Sequence, residues 1–163
     1  MATPTYDLLA STTLATAASS VTFSSIDQSY GDLIIIVNAL GSTTLEARIR
    51  LNSDSGSNYN SVRMSGNGST ATSASLASQT SGSLSVIADA TTGEAILLKV
   101  EIQDYTATDK HTSILARANQ SATGAEATAL RWASTAAVTA IEILTSTGNW
   151  AIGGTFNLYG VAK

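Results

Sequence analysis

Along much of this chain the side chains alternate residue by residue between apolar and polar, and that period limits what the chain can fold into. In "EARIRLN", Ala47, Ile49 and Leu51 point one way while Glu46, Arg48 and Arg50 point the other. In "EAILLKVEIQ", Ile96, Leu98, Val100 and Ile102 oppose Lys99, Glu101 and Gln103. A period of two belongs to strands, because successive side chains of an extended backbone leave opposite faces. Leu97 breaks the pattern and is expected to lie under another element. In "WAIGGTFNLYGV", Trp150, Ile152, Phe156 and Leu158 share one face, and Gly153 and Gly154 mark a bulge or a close backbone approach.

Further strands are expected at residues 14–23, 32–39, 59–64, 84–88, 112–119 and 138–144. "LIIIV" at Leu33 to Val37 is apolar on both faces, which predicts a central strand covered on each side. Turn clusters such as "SYGD", "SDSGSN", "SGNGST" and "TSTGN" separate these segments. Many short strands with regular turns predict a β-sandwich or barrel. Helix is disfavoured by the abundance of Thr, Ser, Val and Ile. One short helical turn is allowed in each of two alanine-rich stretches, 71–77 and 124–133.

A chain of 163 residues is most simply one domain, large enough to fold without a covalent staple. It has no cysteine, which excludes disulfides and thiolate zinc sites and fits synthesis in a reducing cytosol. Charged residues make up 12%, about half the usual ~25%, yet 44% of the chain is hydrophobic, so disorder is not the reason. The net charge of −4 and the scattered basic residues argue against nucleic acid. No apolar run reaches the ~20 residues of a membrane helix. The start, "MATPTYDLLAS", lacks the basic and apolar regions of a secretory signal, so a soluble protein not exported by that route is expected.

Candidate chemistry is sparse. His111 is the sole histidine, and a triad would need it joined to Asp104 or Asp109 and a serine. No nucleophile elbow accompanies it. The acids Asp7, Asp27, Asp32, Asp54, Asp89, Asp104 and Asp109 sit beside turns or strand ends, where aspartate satisfies free backbone N–H groups. "NSDSGSN" places Asn52, Asp54 and Asn58 around Gly56, a loose echo of a calcium loop without its glutamate or its helices. A tight turn with Gly56 at positive φ is the expected reading. "GNGST" lacks the lysine and helix of a phosphate loop. Tyr59, Tyr105 and Trp132 are the candidates for an aromatic sugar platform, against the commoner fate of packing in the core. No cofactor, metal or catalytic residue is expected.

Three segments, "YDLLASTTLATAASSVTFSSIDQSYGDLIII", "RLNSDSGSNYNSVRMSGNGS" and "GNWAIGGTFNLYGVAK", together with "IQDYTATDKHTSILARA", resemble small structural proteins of tailed bacteriophages. The resemblance implies an all-β, jelly-roll-like antiparallel sandwich in residues 6–163 behind a flexible N-terminal arm in residues 1–5. It implies a virion component, most simply a capsid decoration (cement) protein on the capsid exterior. That protein would be made in the host cytoplasm, form a homotrimer and have the major capsid protein as its partner. Ala2, Thr3, Pro4 and Thr5 would then contact the shell or a neighbouring protomer. The alternative is a tail-fibre or spike module that recognises host glycans. No enzyme activity, nucleic acid, membrane or small-molecule ligand is implied.

Overall fold

The computed structural model describes residues 5–88, 93–120 and 124–163; among them lie twelve strands and no helix. The strands are β1 (Tyr6–Thr13), β2 (Ser20–Phe23), β3 (Asp32–Ala39), β4 (Leu45–Leu51), β5 (Tyr59–Gly66) and β6 (Ala71–Gln79). They continue with β7 (Gly82–Ala88), β8 (Ile96–Gln103), β9 (Thr112–Gln120), β10 (Gly124–Trp132), β11 (Ile141–Thr145) and β12 (Thr155–Val161). All pair antiparallel, in an eight-stranded sheet ordered β1-β12-β3-β8-β9-β10-β5-β6 and a four-stranded sheet ordered β2-β11-β4-β7. The pairing is nested: β12 lies between β1 and β3 in one sheet, and β11 between β2 and β4 in the other. This is a jelly-roll-like antiparallel β-sandwich in a single domain, as alternation and resemblance predicted.

The alternating positions meet between the sheets. Leu33, Ile35 and Val37 of β3 and Leu98, Val100 and Ile102 of β8 are buried from the larger sheet. Ile49 and Leu51 of β4 and Ile141 and Ile143 of β11 are buried from the smaller one. Each such side chain contributes about 1.5–3 kcal/mol by leaving water. Trp150 and Phe156 close one end of this core edge to face, with ring centroids 5.7 Å apart. Tyr30 lies flat over β12, where a Cβ on Gly160 would stand 2.4 Å from its ring. Only glycine permits that approach.

Several expectations are corrected. Residues 71–77 and 124–133 hold no helical turn; they lie in β6 and β10, where pairing with β5 and β9 overrides the weak helix preference of alanine. The strand expected at 14–23 is confined to β2, Ser20–Phe23, and a separate strand that was not expected, β1, precedes it at Tyr6–Thr13. Between them Leu14 N–H donates to the Gly154 carbonyl and Ala18 N–H to the Trp150 carbonyl, so the chain crosses between sheets instead of extending one. Gly153, at φ +84°, lies in a turn before β12 rather than in a bulge within it, while Gly154 does make a close approach, a Cβ there standing 3.0 Å from Ala39 Cβ and 3.3 Å from the Ala151 carbonyl. That turn throws Ile152 out to 71% exposure, away from Trp150, Phe156 and Leu158. "LIIIV" is central in its sheet but covered on one side only, since Ile34 and Ile36 are half-buried on the outward face. Leu97 is likewise exposed on that face rather than covered.

Candidate functional site

The polar loop between β4 and β5 is a structural corner. Asp54 Oδ2 accepts from Trp132 Nε1–H at 2.6 Å and from Asn58 Nδ2 at 2.9 Å, and its Oδ1 accepts from Gly56 N–H at 2.8 Å. These donors, led by the Trp132 indole, hold the Asp54 carboxyl below its ordinary pKa. Asn52 Oδ1 accepts from the backbone N–H groups of Thr139 and Ala140, while its Nδ2 donates to the Ala137 carbonyl. The Tyr59 hydroxyl accepts from Leu51 N–H and donates to the Asp54 carbonyl, and burial raises its pKa to about 12. The left-handed positions are Asn52 and Ser53, not Gly56 as expected. A Cβ at Gly56 would stand 2.9 Å from Asn58 Nδ2 and 3.1 Å from Asp54 Oδ1, so a side chain there would displace the Asn58–Asp54 pair.

The corner therefore fastens the loop onto the core. Its side-chain oxygens are occupied by protein N–H donors. Among the described residues, no three His, Cys, Asp or Glu side chains gather as a metal site. Tyr59, Tyr105 and Trp132 are all buried, the commoner of the two fates weighed for them, so they form no sugar platform. His111 is exposed just before β9 and has no hydrogen bond to Asp104 or Asp109. Asp104 instead pairs with Lys110, and its backbone N–H donates to Asp32 Oδ1. Ala2, Thr3 and Pro4 lie outside the described residues. Thr5 is exposed, and its carbonyl accepts from Ala162 N–H at 3.0 Å.

The surface that combines exposure with apolar chemistry is the outward face of the eight-stranded sheet. Register aligns Leu8, Tyr159, Ile34, Glu101, Leu115, Ala129 and Val62 in one row across seven strands. The neighbouring row runs Ile36, Lys99, Arg117, Ala127 and Met64. Leu8, Val62, Met64, Leu97 and Leu115 are each 43–63% exposed. At the centre, Lys99 Nζ lies 2.6 Å from Glu101 Oε1, and Arg117 Nη2 lies 3.9 Å from the same oxygen. Two cations thus share one carboxylate. A depression of about 600 Å³ opens between Met64, Ser73, Ala127 and Arg117, and one of about 450 Å³ between Ile36, Leu97 and Arg117. Arg117 stands between them.

The opposite face of the sandwich is charged. Glu46, Arg48 and Arg50 project from β4, with Arg48 paired to Glu46 at 2.6 Å and Arg50 to Glu142 at 3.5 Å. Arg48 and Arg50 do share a face, as their spacing predicted.

Glu126 was not singled out from sequence. Its carboxylate is fully enclosed between β10 and β7, accepting from Ser85 Oγ at 2.6 Å and Val86 N–H at 2.8 Å. Arg63 Nε lies 3.6 Å from the second oxygen, which has no hydrogen bond. It ties the two sheets together by joining β10 to β7. The signal was present in "EATALRW", whose alternation places Glu126 on the face of Thr128, Leu130 and Trp132. A helical reading of that stretch hides it.

No model of a known protein family matches the chain, and no curated protein matches it. Among solved structures, the crystal structure of Caenorhabditis elegans galectin LEC-6 aligns over 100% of this chain and 99% of that one, at 12% identity and a TM-score of 0.40.

Proposed function

We propose that this chain is a virion structural protein, a capsid decoration protein that lays the outward face of its eight-stranded sheet on the major capsid protein. One observation supports this reading most: the exposed side chains of Leu8, Val62, Met64, Leu97 and Leu115 share that face. Eight strands spaced ~4.8 Å apart and ~25 Å long make a face of roughly 800 Å². That is about one partner's share of a standard specific interface. Exposed apolar side chains gathered on one face around the Lys99–Glu101–Arg117 group mark a surface suited to a partner. The few charges on the face already neutralise one another in part, which lowers the desolvation cost of docking.

The mechanism is mechanical. A protein that touches neighbouring shell subunits makes their separation break decoration contacts as well. Where copies of the protein are joined to one another, engagement of one raises the effective concentration of the others, so weak single contacts suffice. No catalytic residue or cofactor enters this role.

Co-sedimentation of the purified protein with capsid shells tests it. Saturable, high-copy binding is expected, together with a raised disruption temperature of the decorated shell. Met64→Asp and Leu115→Asp should abolish binding while Arg50→Ala on the charged face leaves it intact. Low-copy incorporation, or saturable binding to host polysaccharide without shell binding, would overturn the proposal.

A further inference from the structure

We propose that β6 is a self-docking edge: two copies of this chain pair antiparallel along residues 71–77, with Ala74 on the two-fold axis. Their eight-stranded sheets then become one continuous sheet. This pairing does not depend on the decoration role.

Among the described residues, β6 ends the larger sheet and has β5 as its one ladder partner. Asn67 N–H donates to the Thr70 carbonyl across the preceding turn. Antiparallel alternation from that point directs the backbone groups of Thr72 and Ala74 toward β5. The N–H and C=O of Ala71, Ser73 and Ser75 are left on the free edge, as is the N–H of Ala77, whose carbonyl accepts from Gln79 Nε2 at 2.8 Å. An unpaired row of this kind templates another strand unless it is blunted.

The other three edges are blunted. β1 carries Asp7 and a register shift between Leu8 and Ala10, β2 is only four residues long, and the pairing of β7 with β4 is interrupted twice. β6 has neither proline nor charge; the chain contains no Asp, Glu, Lys or Arg from Met64 to Ala88. Two copies of this edge therefore meet without repulsion.

The partner is identified as a second copy by the symmetry of the segment. The turn through Gly68 limits it at one end, and Ser78, left-handed at φ 54°, limits it at the other. Within those limits Ala74 is central, Ser73 faces Ser75, and Ala71 faces Ala77. A two-fold interface demands this self-complementarity, residue i on j and j on i. The free groups of Ser73 also fall opposite those of Ser75, which is the phase an antiparallel ladder needs. On the inward side Thr72 meets Leu76 of the other copy. The Thr72 hydroxyl is already bonded to Ser65 Oγ at 2.7 Å, leaving its methyl for that contact. Val62 and Met64, one strand in from the edge, then lie on a face that continues across the axis.

The full chain should sediment as a monomer–dimer equilibrium across rising concentration. Ser75→Pro removes an N–H from the free edge and none from the β5 ladder, so it should weaken association by about tenfold or more with an unchanged melting temperature. The chain has no cysteine, which permits a register test. Ala74→Cys should oxidise to a disulfide dimer, since facing residues of a non-hydrogen-bonded pair stand ~4.5 Å apart at Cα. Ser73→Cys should not, because its own copies sit diagonally, beyond ~7 Å. A protein monomeric at every concentration, a dimer indifferent to Ser75→Pro, or equal crosslinking at both cysteines would overturn the proposal. Should Ser75→Pro unfold, the cysteine pair alone decides.

Discussion

Residues 52–58, "NSDSGSN", and residues 65–70, "SGNGST", draw on nearly the same amino acids, yet one is an anchor and the other a free tip. In the first, Asp54 reaches the buried Trp132 indole, and Tyr59 closes the loop from below. In the second, Asn67 Oδ1 accepts only from Ser69 and Thr70 N–H, within its own turn. The side-chain chemistry is alike. The difference is what stands behind the loop: two buried aromatics with polar handles at the corner, and, among the described residues, no such aromatic bonded to the hairpin turn. A polar loop over an aromatic with an N–H or O–H to satisfy becomes part of the core, whereas one at a sheet edge stays a connector.

That contrast can be broken by experiment, beginning where the effect is greatest. Tyr59→Ala removes a buried ring together with the hydroxyl joining Leu51 to Asp54, and should cost about 3–5 kcal/mol in urea unfolding. A loss under about 1 kcal/mol would show that the corner is not an anchor. Asp54→Ala leaves the Trp132 N–H, Asn58 and Gly56 without their acceptor, and should cost about 2 kcal/mol by the same measurement.

At the hairpin, Gly68→Ala meets no neighbouring atom but places a Cβ at φ +87°, so about 1 kcal/mol of backbone strain is the whole expected cost. Asn67→Ala should shift the midpoint by a few tenths of a kcal/mol, the scale of an exposed site.

Acidification sharpens the comparison further. The folded state lowers the Asp54 pKa, so the stabilisation is fully present above the unfolded value of ~3.9 and is lost as pH falls through the folded one. The stability gap between the wild type and Asp54→Asn should therefore be widest near neutrality and close below about pH 4. A gap that is constant with pH would show that the Asp54 charge plays no part in the anchor. Asn67→Ala should show no such dependence.

Some of this was readable beforehand. β4 and β8 follow directly from the alternation of large apolar residues with charged ones, because burying one face leaves a single workable register. β6 and β10 were obscured because Ala, Ser and Thr differ too little in hydrophobicity to print a period, and the neighbouring strands supplied the conformation. The Asp54 corner was half visible: its turn residues are plain in the sequence, but Trp132 is 78 residues away and arrives only through the fold. Glu126 carried its sign in a phase that appears only once the stretch is read as a strand. The outward apolar face needed the register of separate strands before Leu8, Leu115 and Val62 could be set side by side.

Period-two alternation, many turns and no cysteine were enough to dictate a two-layered β domain, because hydrophobic burial depends on local spacing that any reader of the chain can count. Which polar groups were locked inside, which apolar ones were left outside, and which edge stayed open depended on contacts between residues far apart in the chain. Local spacing carries no information about such meetings; only the packed sheets bring them about.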